Sequence, residues 1–400
     1  MQCRPGKRNL MYLTGRLITA TIFVWLFSLS PVASAQSSVL DQLRHDLAMR
    51  YLEPAPHMAL AKFYLDKGDR LQAFYILESA RRGRFEDTIF NQAFLKTFGH
   101  STDNDNDREA PGLDDYRRRI AELYEKQPAR AKAVMREAIA KYPTNGLFRF
   151  NLGALLQREG KLPEAEAQLV KAAELSPRSS YIQAWVGRFF FKVRHDNQRA
   201  LTYYLNAYFL DPHTYESEFV ESRIRKINAE AAAVHIDQLL KSGTPLIEIT
   251  RDPNPTIAVQ SVMQATEDWR PEYLATMVAL MGHDDEEVRW LATEAIKVHA
   301  DRSFDEQLRA LLQEKDLRKR GLAAYVAVHL WKQESFEVMR NMLREDAQLL
   351  RYDALSALMI EGGFEGRRIV VEHRASERNT TLQKLIDSTG VKKGLTNRDP

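Results

Sequence analysis

His283-Asp284-Asp285-Glu286-Glu287 puts an imidazole beside four consecutive carboxylates in this 400-residue chain. Such groups perform general acid–base chemistry and bind divalent cations, so the run is the first place to look for a reaction. Two other stretches raise the same question. Asp103, Asp105 and Asp107 alternate as at the start of a calcium loop, and Asp114 falls at its twelfth position. Arg108, however, stands where that loop needs a glycine for its sharp turn, and Pro111-Gly112 interrupts the rest; a solvated acidic loop is the expectation. "EGGFEGRR", Glu361 to Arg368, has the glycines of a phosphate loop but follows a helical pattern rather than a strand, which makes it an inter-helix turn. The ten histidines, among them His45, His100, His195, His283 and His329, show no metal-ligand spacing. With no G-x-S-x-G elbow, H-E-x-x-H pair, Walker loop or G-x-G-x-x-G turn, the sequence predicts no catalytic residue, no metal site and no cofactor.

The residues that follow the acidic run give it a different role. Asp284 is placed to cap a helix, with Glu287 three residues on reaching back as a capping box, and acids in a first turn favour the positive end of the helix dipole. Val288, Leu291, Ala292, Ala295 and Ile296 then form an apolar stripe at helical spacing.

The first residues have their own logic. Arg4, Lys7, Arg8 and Arg16 precede the apolar run "LITATIFVWLFSLSPV", and small residues at Ala33 and Ala35 follow. That is the pattern of a secretory signal peptide, residues 1–35, cut after Ala35; the run is shorter than a membrane span prefers and carries Pro31. The segment holds four of the 57 Lys and Arg and none of the 54 Asp and Glu, so its removal leaves 53 bases against 54 acids. A near-neutral mature chain offers no electrostatic footprint for nucleic acid. The sole cysteine, Cys3, leaves with the leader, which excludes disulfides and a cysteine nucleophile. A periplasmic or secreted location is therefore expected, with no membrane span after cleavage.

Self-comparison organises the remainder. Counting from Gly146, Leu152-Gly153 fall at seven and eight, Leu156 at eleven, Ala165 at twenty, Leu169 at twenty-four, Ala172 at twenty-seven and Pro177 at thirty-two. Gly187, Phe190, Ala200, Tyr204, Ala207 and Pro212 repeat the pattern. Gly153 to Gly187 spans 34 residues but Ala165 to Ala200 spans 35, which places one inserted residue in the turn between the helices. Ala61, Tyr64, Gly68, Ala73, Leu77 and Ala80 match upstream, and Ala131, Ala138 and Pro143 mark a degenerate copy. These segments resemble the tetratricopeptide repeat, in which small residues let two antiparallel helices approach and a proline ends the second.

Beyond Pro212 the period changes to 31. Arg289, Arg320 and Arg351 recur at that interval, with Ala292, Ala323 and Ala354 three residues later, Ala295, Val326 and Ala357 six later, and Leu280, Leu311 and Met342 nine before. An earlier copy centres on Ala258 with Ile249, and a faint later one runs through Leu382 and Leu385. The segments resemble short-period HEAT repeats, in which an acidic turn leads into a Val-Arg-x-x-Ala helix. The arginine ladder, with Asp285 and Asp316 four residues before its first two members and Ala347 at the third, is expected to tie repeats together.

The chain thus reads as all-α, an α-solenoid of helix-turn-helix repeats: a tetratricopeptide-like array followed by a HEAT-like array. The expected organisation is leader 1–35, N-terminal helix 36–53, one tetratricopeptide-like unit 54–87, an extra helix and acidic loop 88–111, further tetratricopeptide-like units 112–214, connecting helices 215–245, HEAT-like units 246–390 and a polar tail 391–400. The tetratricopeptide resemblance implies a protein- or peptide-binding groove on the first helix of each pair. Carried onto this sequence, its positions include Phe150, Asn151, Gln157 and Arg158 in one unit and Tyr181, Arg188, Phe191 and Lys192 in the next. Arg158, Arg188 and Lys192 among aromatics would favour a segment carrying carboxylates and apolar groups. Trp185 stands where a carboxylate-clamp repeat has a second asparagine, which argues against capture of a C-terminal carboxylate. The implied function is a non-catalytic, exported scaffold or adaptor with protein or peptide partners in the cell envelope. The resemblance also admits a component of a polysaccharide-export or envelope-assembly machine, and a lyase-like HEAT protein handling a prosthetic group.

Overall fold

The computed structural model describes residues 31–84, 87–98, 112–212 and 215–388. Asp103, Asp105 and Asp107, and all but the last five residues of the expected leader, lie outside them. The chain divides into two compact units, Met1–Val39 and Leu40–Pro400. The described part of the first is the opening of α1 (Pro31–Met49), whose remainder belongs to the second with every later helix.

Among the described residues the secondary structure is helical throughout, without a strand. After α1 come α2 (Pro54–Asp66), α3 (Arg70–Arg84), α4 (Asp87–Phe98), α5 (Leu113–Tyr124), α6 (Pro128–Lys141), α7 (Gly146–Arg158), α8 (Leu162–Leu175), α9 (Ser180–Phe189) and α10 (Asn197–Leu210). The long α11 (Tyr215–Lys241) leads to α12 (Leu246–Ile249), α13 (Pro255–Glu267), α14 (Leu274–Leu280), α15 (Glu286–His299), α16 (Asp305–Leu311) and α17 (Leu317–Trp331). The chain closes with α18 (Phe336–Met342), α19 (Gln348–Glu361), α20 (Gly363–His373) and α21 (Thr380–Ser388). Consecutive helices are the main packing partners, which is the pattern of an α-solenoid. No helix among the described residues is long and apolar enough to cross a membrane.

Local chemistry sets the ends of these helices. Prolines occupy the first turn of α2, α6, α8 and α13, where a missing N–H costs nothing. Asn145, Ser179, Asp196 and Asn254 cap α7, α9, α10 and α13 by accepting from first-turn N–H groups. The alanines of the tetratricopeptide-like pattern, including Ala165, Ala172, Ala200 and Ala207, are buried where the helices of a pair meet. Gly153 shows why its position must be small: a Cβ there would lie 2.7 Å from Leu169 Cγ.

The extra residue of the Gly187 unit is not taken up in the inter-helix turn. The end of α9 continues as a π-helical turn, Phe190–Arg194, and the left-handed residue that closes it is His195 (φ 54°), where Gly160 (φ 75°) closes the preceding unit. A single residue is absorbed more readily by widening one helical turn than by remaking a tight turn.

The 31-residue period appears as a short helix of four to seven residues followed by one of 13 to 15. Every apolar position of that period from Ile249 to Leu382 named above is buried, and Leu385 is half-buried. The first tetratricopeptide-like pair has a second role. Phe74 of α3 stacks edge-on against Tyr208 of α10 at 4.8 Å, Arg81 reaches Glu221 of α11 at 2.5 Å, and Tyr75 hydrogen-bonds Thr256 of α13 at 2.6 Å. α3 therefore joins the end of one array to the start of the other, an arrangement that repeat order alone did not predict.

Candidate partner-binding site

Three of the four carboxylates of the acidic run are engaged in contacts, and Glu287 is exposed. Asp285, not Asp284, caps α15, accepting from Val288 N–H at 3.0 Å. The residue three beyond the cap is then Val288, so the capping box with Glu287 does not form. Asp284 is displaced from the cap by stronger partners: both oxygens take a fork from Arg44 at 2.7 Å, Oδ1 also takes Arg318 at 2.7 Å, and the Tyr64 hydroxyl donates to Oδ2. Burial alone would push this carboxyl up, but the two guanidinium groups and the phenol outweigh it and hold it well below the usual carboxylate range. Glu286 accepts from the Tyr51 hydroxyl at 2.9 Å. The run thus fastens the end of α1, the turn after it and the end of α2 to the 31-residue array. Among the described residues no group of three His, Cys, Asp or Glu side chains is arranged to hold a metal ion.

His283 is neutral for a physical reason. Its Nδ1 accepts from Asp285 N–H at 3.0 Å, and burial lowers its pKa to about 4. Because the folded pKa lies below the unfolded value, near 6.5, stability is complete above pH ~6.5 and falls as the pH drops towards 4, by about 3 kcal/mol for this group. His283→Asn, whose amide oxygen can keep the backbone contact, should flatten that part of a urea-midpoint profile between pH 7 and pH 4.5. An unchanged slope would assign the effect elsewhere.

The arginine ladder is structural. Arg289 Nη1 donates to the carbonyls of His283 (2.7 Å) and Asp284 (2.9 Å), and Arg351 Nη1 repeats this with Glu345 and Asp346 at 2.8 Å each. Arg320 pairs with Glu345 of the next unit at 2.8 Å, and Arg351 with Glu377 at 3.1 Å. Asp316 caps α17 and pairs with Arg318, two residues on, rather than with Arg320.

The groove residues divide into two groups. In the first unit, Phe150 is buried, Asn151 and Gln157 are half-buried, and Arg158 is exposed but forks onto Glu125 at 2.8 and 2.9 Å while lying over the Tyr124 ring. Phe150 meets the rings of Tyr181 at 5.4 Å and Trp185 at 5.3 Å, joining the two units in one aromatic cluster. Tyr181 keeps 48 % of its surface exposed, so the cluster opens to solvent. In the second unit Arg188 lies over Trp185 at 5.4 Å. Phe191 is capped by Arg223 of α11 at 5.0 Å and by Lys226 at 6.0 Å. Phe191 and Lys192 sit in the π-helical turn, beyond the point where straight α-helical counting holds. Arg188 and Lys192 are exposed, and with Arg223 they have no carboxylate partner among the described residues.

Arg223 and Lys226 were not anticipated, because α11 carries none of the repeat's small-residue signature. A signal was present: Arg223 lies 35 residues after Arg188, the interval already shown by Ala165 and Ala200.

Residues 122–188 match the tetratricopeptide repeat family. No curated protein is detectably similar to the chain. The fold and this match define an all-α solenoid that contains tetratricopeptide repeats, a class that generally mediates protein–protein contact and is typically non-catalytic.

Proposed function

We propose that the protein is an exported adaptor of the cell envelope that holds a partner segment against the surface formed by α9, its π-helical end and α11. The observation that carries this reading is the grouping of Arg188, Lys192 and Arg223 around Trp185 and Phe191 with no neutralising carboxylate among the described residues. Exposed Arg188 and Lys192 and half-buried Arg223 beside half-buried aromatics suit a segment that alternates carboxylates with apolar side chains. The leader-like residues 1–35 support export, and the 31-residue units, read as HEAT-like, add a second interaction face.

Cross-linking in envelope extracts tests both halves. The recovered chain should begin at Gln36, and Arg188→Glu with Lys192→Glu should reduce partner capture about tenfold or more, since reversing two charges turns attraction into repulsion. Capture at the wild-type level by the doubly reversed chain would sink the surface, and an intact leader on the recovered chain would sink the export reading.

A further inference from the structure

A second cleft, of about 400 Å³, lies where the first helix pair meets the end of the tetratricopeptide-like units; its walls include Arg70, Gln183, Tyr203, Asn206, Phe209 and Leu210. Arg70 opens α3, the second helix of its pair, so it does not fall at a first-helix groove position of a tetratricopeptide array. Its guanidinium lies over the Phe209 ring at 5.5 Å, and Nη1 donates to Asn206 Oδ1 at 2.6 Å. Those are its only partners among the described residues, and none of them carries a negative charge. The arrangement is held from behind: Asn206 Nδ2 donates to Gln183 Oε1 at 3.1 Å, and Gln183, itself 3 % exposed, donates from Nε2 to the Ala173 carbonyl at 3.1 Å. This chain fixes which face of each amide is which and leaves Asn206 only its oxygen for Arg70. Glu174, also in the wall, pairs with Lys171 at 2.9 Å.

A guanidinium offers five N–H donors in a rigid fork, and here most of them remain without an acceptor although burial costs the cation hydration. The donors left over are not sealed in the interior. An arginine held rigidly, stacked on an aromatic ring and not neutralised is the arrangement that accepts a carboxylate bidentately. Phe209, Leu210 and Tyr203 supply an apolar flank beside it.

We propose that this cleft is a recognition site for an acidic side chain, Asp or Glu, of a partner peptide, with Arg70 binding the carboxylate and Phe209 and Leu210 taking an adjacent apolar residue. It does not rest on the Arg188–Lys192 surface.

The probes are two fluorescein-labelled, amide-capped hexapeptides, Gly-Leu-Glu-Phe-Gly-Gly and its Gln isostere, titrated into the full chain by fluorescence anisotropy. The Glu peptide is expected to bind wild type at least about tenfold more tightly, as a charge-assisted fork outweighs a neutral contact. Arg70→Gln should reduce that preference below about twofold. Asn206→Asp, which supplies an internal carboxylate to Arg70, should do the same without removing the arginine. Arg188→Glu with Lys192→Glu should keep it. Equal binding of the two peptides to wild type, or a preference that survives Arg70→Gln, overturns the proposal; a preference lost only in the Arg188 and Lys192 variant transfers it to the other surface.

Discussion

Asp284→Asn is expected to destabilise the folded chain by about 3–5 kcal/mol, the range for removing one partner of a buried ion pair. The change keeps the side chain's shape and deletes its charge. Arg318, whose side chain is 7 % exposed, then loses one of its two carboxylates, and Arg44 keeps only the exposed Asp41. The neighbouring Asp285→Ala should cost about 1 kcal/mol, the usual value for a lost helix cap. Urea midpoints of the two variants therefore separate the roles of adjacent aspartates. If the Asp285 variant were the weaker of the two, the assignment of cap and clasp would be reversed.

A pH signature accompanies the larger effect. The folded pKa of Asp284 is held below the unfolded value of roughly 3.9, so its contribution is complete above that pH and is lost as the pH falls towards the folded value. Asp284→Asn should remove this acid-side loss. Since Arg44 and Tyr64 come from the end of α1 and the end of α2 and Arg318 from the 31-residue array, the variant should also raise hydrogen exchange at those two helix ends before it affects α7 and α8.

The repeats were legible because close helix packing writes a strict rule into sequence. Gly153 meets Leu169 and Gly187 meets Tyr204 at distances that admit no side chain, so those positions can be recognised without any other knowledge. The 31-residue ladder was legible for the same reason, its alanines being fully buried between successive helices. Contacts between arrays follow no period. Nothing local distinguishes Asp284 from Asp285 as a cap; the choice is made by Arg44, which is 240 residues away in sequence. The π-helical turn was half visible, since the extra residue could be counted but its location depends on which backbone distortion is cheaper. Arg70 carries no sequence signal as a site, because its isolation is defined in space, by the lack of a paired carboxylate among the described residues.

The joint between the arrays allows a second large effect to be tested. Glu78 of α3 is fully buried; it accepts from the Tyr208 hydroxyl at 2.8 Å and from Arg81 at 3.1 Å through both oxygens. Arg81 also holds Glu221 of α11, which Arg225 grips at 3.1 Å. Burial, reinforced by the nearby Glu221, pushes the Glu78 carboxyl above its ordinary value despite Arg81. A raised carboxyl pKa means that the folded state holds the proton more tightly than the unfolded chain. Its favourable contribution is present below the unfolded pKa and is lost as the pH rises through the folded one. Among the described residues Arg81 is the one cation shown to touch both carboxylates, so Arg81→Met should cost about 3–5 kcal/mol at pH 7.5. Part of that loss should return at pH 5, where protonated Glu78 can donate to Glu221 instead of repelling it. Adding Glu78→Gln to Arg81→Met should restore stability at pH 7.5 for the same reason, since the amide supplies a donor and no charge. A loss that is the same at both pH values, or that the second substitution does not relieve, would show that Arg81 matters for the packing of its stem and not for the charge it places between α3 and α11.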